Sequence, residues 1–217
     1  MISILILLLI VPGISVVSEN EHPEYKTKYS LSEENLENWA IPFDSGMEVE
    51  VSTGSSKHGN SGFCVDFMPM PSERNDVRIY APFSGYILQT SASIYNAPNK
   101  RDIYSAAGTQ AYGNFIHLID PASGYSVIMA HLQNDSVPFD TLQSESWVEK
   151  GTYLGLMGGT TSNDALATII KGFDVHLHME IRIGTDSGKP TFSDGTKIGS
   201  YEISQYETHG AIFVGNI

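Results

Sequence analysis

From Ile41 onward the chain is cut into short runs of β-branched and aromatic residues, and this limits what it can fold into. Met47–Val51, Gly62–Phe67, Gly85–Gln89, Phe115–Ile119, Tyr125–Ala130 and Val175–Ile183 carry Val, Ile, Phe and Tyr, with Gly, Asn, Asp, Pro and Ser between them. Runs of this length, bounded by turn formers, read as strands. Several of them at close spacing predict an all-β sandwich or barrel. The 217 residues suffice for one sizeable domain. A single cysteine, Cys64, makes an intramolecular disulfide impossible, so a packed core must hold the fold. One stretch departs from this texture. Asp164–Lys171 follows the capping residues Ser162-Asn163 and stops at Gly172, which predicts a helix of about two turns.

The first residues have a different character. Met1–Ser18 contains no Lys, Arg, Asp or Glu, and Ile2–Val11 is a short apolar block followed by Pro12-Gly13. Val16 and Ser18 suit the minus-three and minus-one positions of a cleavage site. That is the layout of a signal peptide over residues 1–18, too short for a spanning helix; an uncleaved anchor is the alternative. The expected product is secreted, extracellular or periplasmic, with no stable membrane association after cleavage. Residues 19–40 are polar and charged and read as an N-terminal arm, where Ser30-Leu31-Ser32-Glu33 offers a capping box for a short helix. The net charge of -13 excludes nucleic acid as an expected partner, because phosphate binding needs clustered Lys and Arg. Solubility is the simple reading of that charge.

Chemistry is concentrated around Asp174-Val175-His176-Leu177-His178-Met179-Glu180-Ile181. Residues i and i+2 of a strand share a face, so both imidazoles point into one space. Imidazole is a common metal ligand and the usual general base near neutral pH. His58 lies in a loop of turn formers that leads into Phe63-Cys64-Val65-Asp66-Phe67. A carboxylate inside an apolar strand, as at Asp66, needs a partner; a backbone hydrogen bond would do, and a metal ion is the strongest choice. Catalytic zinc takes three protein ligands and leaves a fourth position to water. His58, Asp66 and one of His176 or His178 meet that need, and the remaining histidine of the pair would lie near the water. His131, at the end of Ile128-Met129-Ala130-His131-Leu132, is a second candidate base. Cys64 shares a strand face with Asp66 and reads as a small packed residue. His117, in an apolar run, reads as a hydrogen-bonded structural histidine, and His22 and His209 as solvated.

No His-Glu-x-x-His helix, Gly-x-Ser-x-Gly elbow or P-loop is present. Over about Ile41–Arg182 the chain resembles the lysostaphin-type (LytM-like) zinc endopeptidases. Ile41-Pro42-Phe43 and His58…Val65-Asp66-Phe67 resemble that family's first metal motif, and Ala81-Pro82-Phe83-Ser84-Gly85 its next turn. Gly113-Asn114-Phe115-Ile116-His117 and Tyr125–Leu132 resemble its central hairpin. Val148–Gly151, Leu154–Gly158 and His176–Arg182 resemble the later glycine turns and final motif. Met129 stands where the family usually has Tyr, and Asp174-Val175 where it has Gly-Pro.

The resemblance implies an all-β, compact antiparallel sheet or barrel-sandwich (duplicated-hybrid-motif-like) with a metal groove and short helical insertions. Residues 41–183 would be the zinc metallopeptidase domain and 184–217 its C-terminal extension. It further implies one Zn2+ per chain on His58, Asp66 and His178, with His131 and His176 as the catalytic pair. Tyr201 and Tyr206 are candidates for the family's transition-state tyrosine. The implied substrate is peptide, in bacterial peptidoglycan cross-bridges. A non-catalytic zinc-containing binding module on the same fold is the alternative. A cupin or carbonic-anhydrase-like enzyme would leave the glycine turns unexplained, and a biotinyl-carrier-like domain would need a hairpin-tip lysine that this chain lacks.

Overall fold

The computed structural model describes residues 29–54, 58, 63–70, 76–91, 112–133, 135–160, 175–185 and 188–217. The fold is antiparallel β. Among the described residues, eight strands form the main sheet, in the order β12-β1-β2-β9-β6-β5-β4-β7, every adjacent pair antiparallel. Their ranges are β1 Glu48–Thr53, β2 Phe63–Pro69, β4 Gly85–Ser91, β5 Asn114–Ile119, β6 Tyr125–Leu132, β7 Trp147–Val148, β9 Leu177–Ile183 and β12 Ile212–Val214. Two small sheets pair β3 (Arg78–Tyr80) with β8 (Tyr153–Leu156) and β10 (Lys197–Ile198) with β11 (Tyr201–Glu202). The six longest strands are those expected from the apolar runs. The glycine turns at 148–158 carry two short strands as well, and the stretch after residue 184 contributes β10, β11 and β12. The expected helix at 164–171 and the proposed signal segment lie outside the described residues.

The sheet has two different faces because side chains alternate along the regular stretches of its strands. Val65, Phe67, Leu177, Met179, Ile181, Val127 and Met129 line one face, all buried, and Ile116, Leu118 and Ile87 continue it. Burial of each such side chain stabilises by about 1.5–3 kcal/mol before entropy is counted. At the β1 end, Phe43, Phe67, Tyr206 and Phe213 pack ring against ring at centroid separations of 4.5–6.2 Å. The opposite face carries the polar residues: Cys64 and Asp66 on β2, His178, Glu180 and Arg182 on β9, Ser126 on β6 and His117 on β5. Most of these are buried too, which obliges them to find partners.

Residues 29–40, read from sequence as part of a polar arm, join the core through Leu36 and Trp39. Trp39 stacks on Phe83 at 4.4 Å and donates its indole N–H to Asp120 Oδ2 at 2.7 Å. The expected capping box does not form. Glu34–Asn38 is a 3-10 helix whose N-cap is Glu33, with no side-chain cap. The Glu33 carboxylate accepts instead from the Ser193 backbone N–H at 3.0 Å and from the Thr196 hydroxyl. A distant loop thus takes the acceptor that the local motif would have used.

His117 bears out its structural reading, with Nε2 2.9 Å from Ser126 Oγ. Burial, and behind it the charge of Arg182, lowers its pKa from the ordinary 6.5 to about 4. Between those values the unfolded chain binds more protons than the folded one, so stability rises with pH across this window. The contribution of His117 is full above about pH 6.5 and is lost as pH falls toward 4. About 2 kcal/mol should disappear between pH 7 and pH 5. Urea unfolding of the metal-free chain should show His117→Asn losing less over that interval than wild type; equal losses would refute this assignment.

Candidate metal centre

Asp66 is the hub of the polar face. The β2–β9–β6 register sets Asp66 directly opposite His178, and His178 opposite Ala130, whose small side chain leaves room over the pair. Asp66 Oδ1 lies 2.8 Å from His178 Nδ1 and 3.9 Å from His176 Nε2, while Oδ2 lies 3.1 Å from His58 Nε2. His58 Nδ1 donates its N–H to the Gly54 carbonyl at 3.1 Å, which orients the ring with Nε2 toward Asp66. Among the described residues, His58, Asp66 and His178 offer ligand atoms that all lie within 4.8 Å of one another. Ligand atoms on a tetrahedral zinc stand about 3.3 Å apart. Two imidazoles and a carboxylate at these separations fit zinc in both chemistry and spacing.

The electrostatics agree with a cation site. Burial alone would raise Asp66, but hydrogen bonds from His178 and His58 and the nearby charges of His176 and His178 hold its carboxyl far below the usual range. Burial would lower His178, but Asp66 foremost, with Cys64 and Glu180, carries it well above the ordinary histidine value. The metal-free site therefore keeps a carboxylate and holds a proton on His178, and zinc binding would displace that proton.

His176 sits just before β9, pinned by its N–H to the Gly158 carbonyl at 3.0 Å. Its ring is 4.6 Å from that of His131, and His131 is 5.7 Å from His178. Alternation alone would send His131 into the core beside Met129. A β-bulge prevents this: Asn114 pairs with Leu132 and Phe115 with Ala130, and His131 takes φ +63° in between. The left-handed backbone turns the imidazole to the polar face. Thr160 then locks it. Its carbonyl accepts from His131 Nδ1 at 2.6 Å, and its hydroxyl donates to the Leu132 carbonyl at 2.8 Å and accepts from the Asn114 N–H at 3.0 Å. Gly113, at φ +60°, allows this approach, since a Cβ there would collide with Thr160. Burial, followed by the charges of His176 and His178, keeps the His131 pKa well below 6.5, so the ring is neutral.

The structure thus gathers His58, Asp66, His131, His176 and His178 at one place. Tyr201 and Tyr206 lie elsewhere: Tyr206 is buried with its hydroxyl on the Ile198 carbonyl, and Tyr201 accepts from the Val214 N–H. Among the described residues, the tyrosine beside the site is Tyr112, whose ring lies 5.6 Å from His178. Its hydroxyl donates to Glu180 Oε2 and accepts from Arg182 Nη2 at 2.9 Å. Cys64 lies behind the centre, within reach of His178 and Glu180. His209 is exposed, as expected, and His22 lies outside the described residues. An open cavity of about 390 Å³ lined by Asp44, Ser45, Gly46, Met47, Glu48 and Met70 shares no residue with the centre.

No protein-family model matches the sequence, and no curated protein matches it. Among solved structures the chain is similar to Helicobacter pylori Csd3, with 17% identity and a TM-score of 0.41 over 70% of this chain and 32% of that one. It is also similar to the catalytic domain of the antimicrobial peptidase lysostaphin from Staphylococcus simulans, with 19% identity and a TM-score of 0.37 over 77% and 92% of the two chains. A zinc containing peptidase from Vibrio cholerae is similar at 17% identity, with a TM-score of 0.36 over 77% and 40%. The chain therefore spans about a third of Csd3 and most of the lysostaphin catalytic domain.

Proposed function

We propose that this chain is a secreted zinc endopeptidase that hydrolyses peptide bonds in bacterial peptidoglycan cross-bridges. The observation that carries the reading is one carboxylate ringed by three imidazoles, with a fourth, neutral imidazole turned toward them by a bulge. His58 Nε2, an Asp66 oxygen and His178 Nδ1 would hold the zinc. When bound, zinc would lower the pKa of water and polarise the scissile carbonyl.

The chain's own residues supply the proton handling. With Nδ1–H donated to Thr160, neutral His131 has the tautomer whose Nε2 accepts a proton. It can receive the proton of the attacking water and return it to the leaving amine. His176, 4.6 Å away ring to ring, is placed to donate a hydrogen bond to the oxygen on which charge develops. Substrate class and export rest on the sequence, through the motif resemblance and the Met1–Ser18 layout. Among the described residues no helix is long and apolar enough to cross a membrane.

The chain lacking residues 1–18, purified without chelator, should hold about one zinc. It should clear peptidoglycan suspensions until a chelator is added. Zinc without clearing on several wall types would replace this reading by the non-catalytic module, and absence of zinc would overturn the metal site.

A further inference from the structure

We infer that Glu180 is a positioning residue for the metal centre, acting through the far nitrogen of His178. The inference rests on the reading that His58, Asp66 and His178 hold zinc. His178 must present Nδ1 without a proton to the metal and keep its proton on Nε2. In the metal-free chain the pull is the other way, since Asp66 Oδ1 lies 2.8 Å from Nδ1 and favours a proton there. An anionic acceptor on the Nε2 side is what biases the ring toward the ligating tautomer.

Glu180 is built for that task. It follows His178 by two residues on β9, so the pleat stacks both on one face. Among the described residues, buried His178 Nε2 has no partner within hydrogen-bond distance, and Glu180 Oε2 is 3.7 Å from it. A shift of about half an ångström makes this a hydrogen bond. The carboxylate is held from behind: Tyr112 donates to Oε2, Arg182 Nε donates to Oε1 at 2.9 Å, and Arg182 Nη2 donates to the Tyr112 hydroxyl at 2.9 Å. A chain of three side chains, anchored by a cation, thus aims one negative oxygen at the back of a metal ligand. Glu180 touches neither metal nor substrate in this scheme.

The test is the zinc dissociation constant of the full chain, measured by competition with a chelator. Glu180→Met should weaken binding by about 10–100-fold. Glu180→Gln should fall between that variant and wild type, because its amide oxygen still accepts but carries no charge. A purely structural Glu180 would change the melting temperature and leave the dissociation constant alone. Glu180→Met leaves Arg182 without its carboxylate, so if it does not fold, the pair Glu180→Met with Arg182→Met removes both charges together and should show the same weakening. Unchanged zinc affinity in whichever of these folds overturns the inference, as does Glu180→Gln binding no tighter than Glu180→Met. Two zinc ions in wild type, one of them lost in Cys64→Ala, would also overturn it, since Cys64, His178 and Glu180 would then be ligands themselves. A wild-type chain without zinc overturns the site reading and this inference with it.

Discussion

His178→Ala should lose zinc and all measurable hydrolysis while the sheet remains folded. His178 stands opposite Asp66 in the β2–β9 register and is the imidazole closest to it, at 2.8 Å. Without it, His58 and Asp66 remain as two ligands on one side, and three are needed for a catalytic zinc. The loss of affinity should exceed the ~10–100-fold typical of removing a supporting partner from a metal site. His176 is a poor substitute, since its Nε2 is 3.9 Å from the same carboxylate oxygen and its backbone is tied to Gly158. The substitution also strips a proton donor from a mostly buried carboxylate, which should cost the metal-free chain about 1–3 kcal/mol. The measurement is zinc per chain after dialysis, with hydrolysis assayed on the same sample and exposed His209→Ala as control. Near wild-type zinc in His178→Ala would remove His178 from the ligand set.

Much of this site could be read before the fold was known, because its key spacings are local. His176, His178 and Glu180 recur at intervals of two, and a strand stacks such residues on one face whatever surrounds it. Asp66 betrayed itself as a charge within Phe63-Cys64-Val65-Asp66-Phe67. The long strands were equally visible as β-branched runs. Short strands such as β7, β10 and β11, two residues each, have no periodicity to detect and exist because a neighbour supplies the ladder. Tyr112 and Thr160 escaped notice for a related reason: each acts across a gap in sequence, Tyr112 on Glu180 and Thr160 on His131. The tyrosines singled out in the C-terminal stretch pack in the aromatic cluster around Phe213, where apolar burial outweighed any role at the site.

The bulge is the deeper omission. By alternation from Met129, His131 belongs in the core, and no residue type near it announces otherwise. Asn114 at the start of the partner strand and Gly113 just before it, with Thr160, set the break in register, and those contacts exist only in the folded chain. Non-glycine residues with positive φ are uncommon, and they collect where function holds the backbone in place.

That geometry dictates how the role of His131 should be tested. Alanine removes the imidazole but is strained at φ +63°, so lost activity could reflect a relaxed bulge. Asparagine tolerates the left-handed region, and its amide N–H can still donate to the Thr160 carbonyl. His131→Asn should therefore fold, keep close to one zinc per chain, and lose the proton acceptor at neutral pH. Hydrolysis should fall by about 10²–10⁴-fold, the range for removal of a general base. The separation of the two readouts is the decisive feature, because His131 stands 5.7 Å from His178 ring to ring and is not among the side chains that group as metal donors. If His131→Asn also loses zinc, His131 belongs to the ligand set. If it keeps both zinc and activity, His176 carries the proton alone, and the strained bulge needs a different explanation.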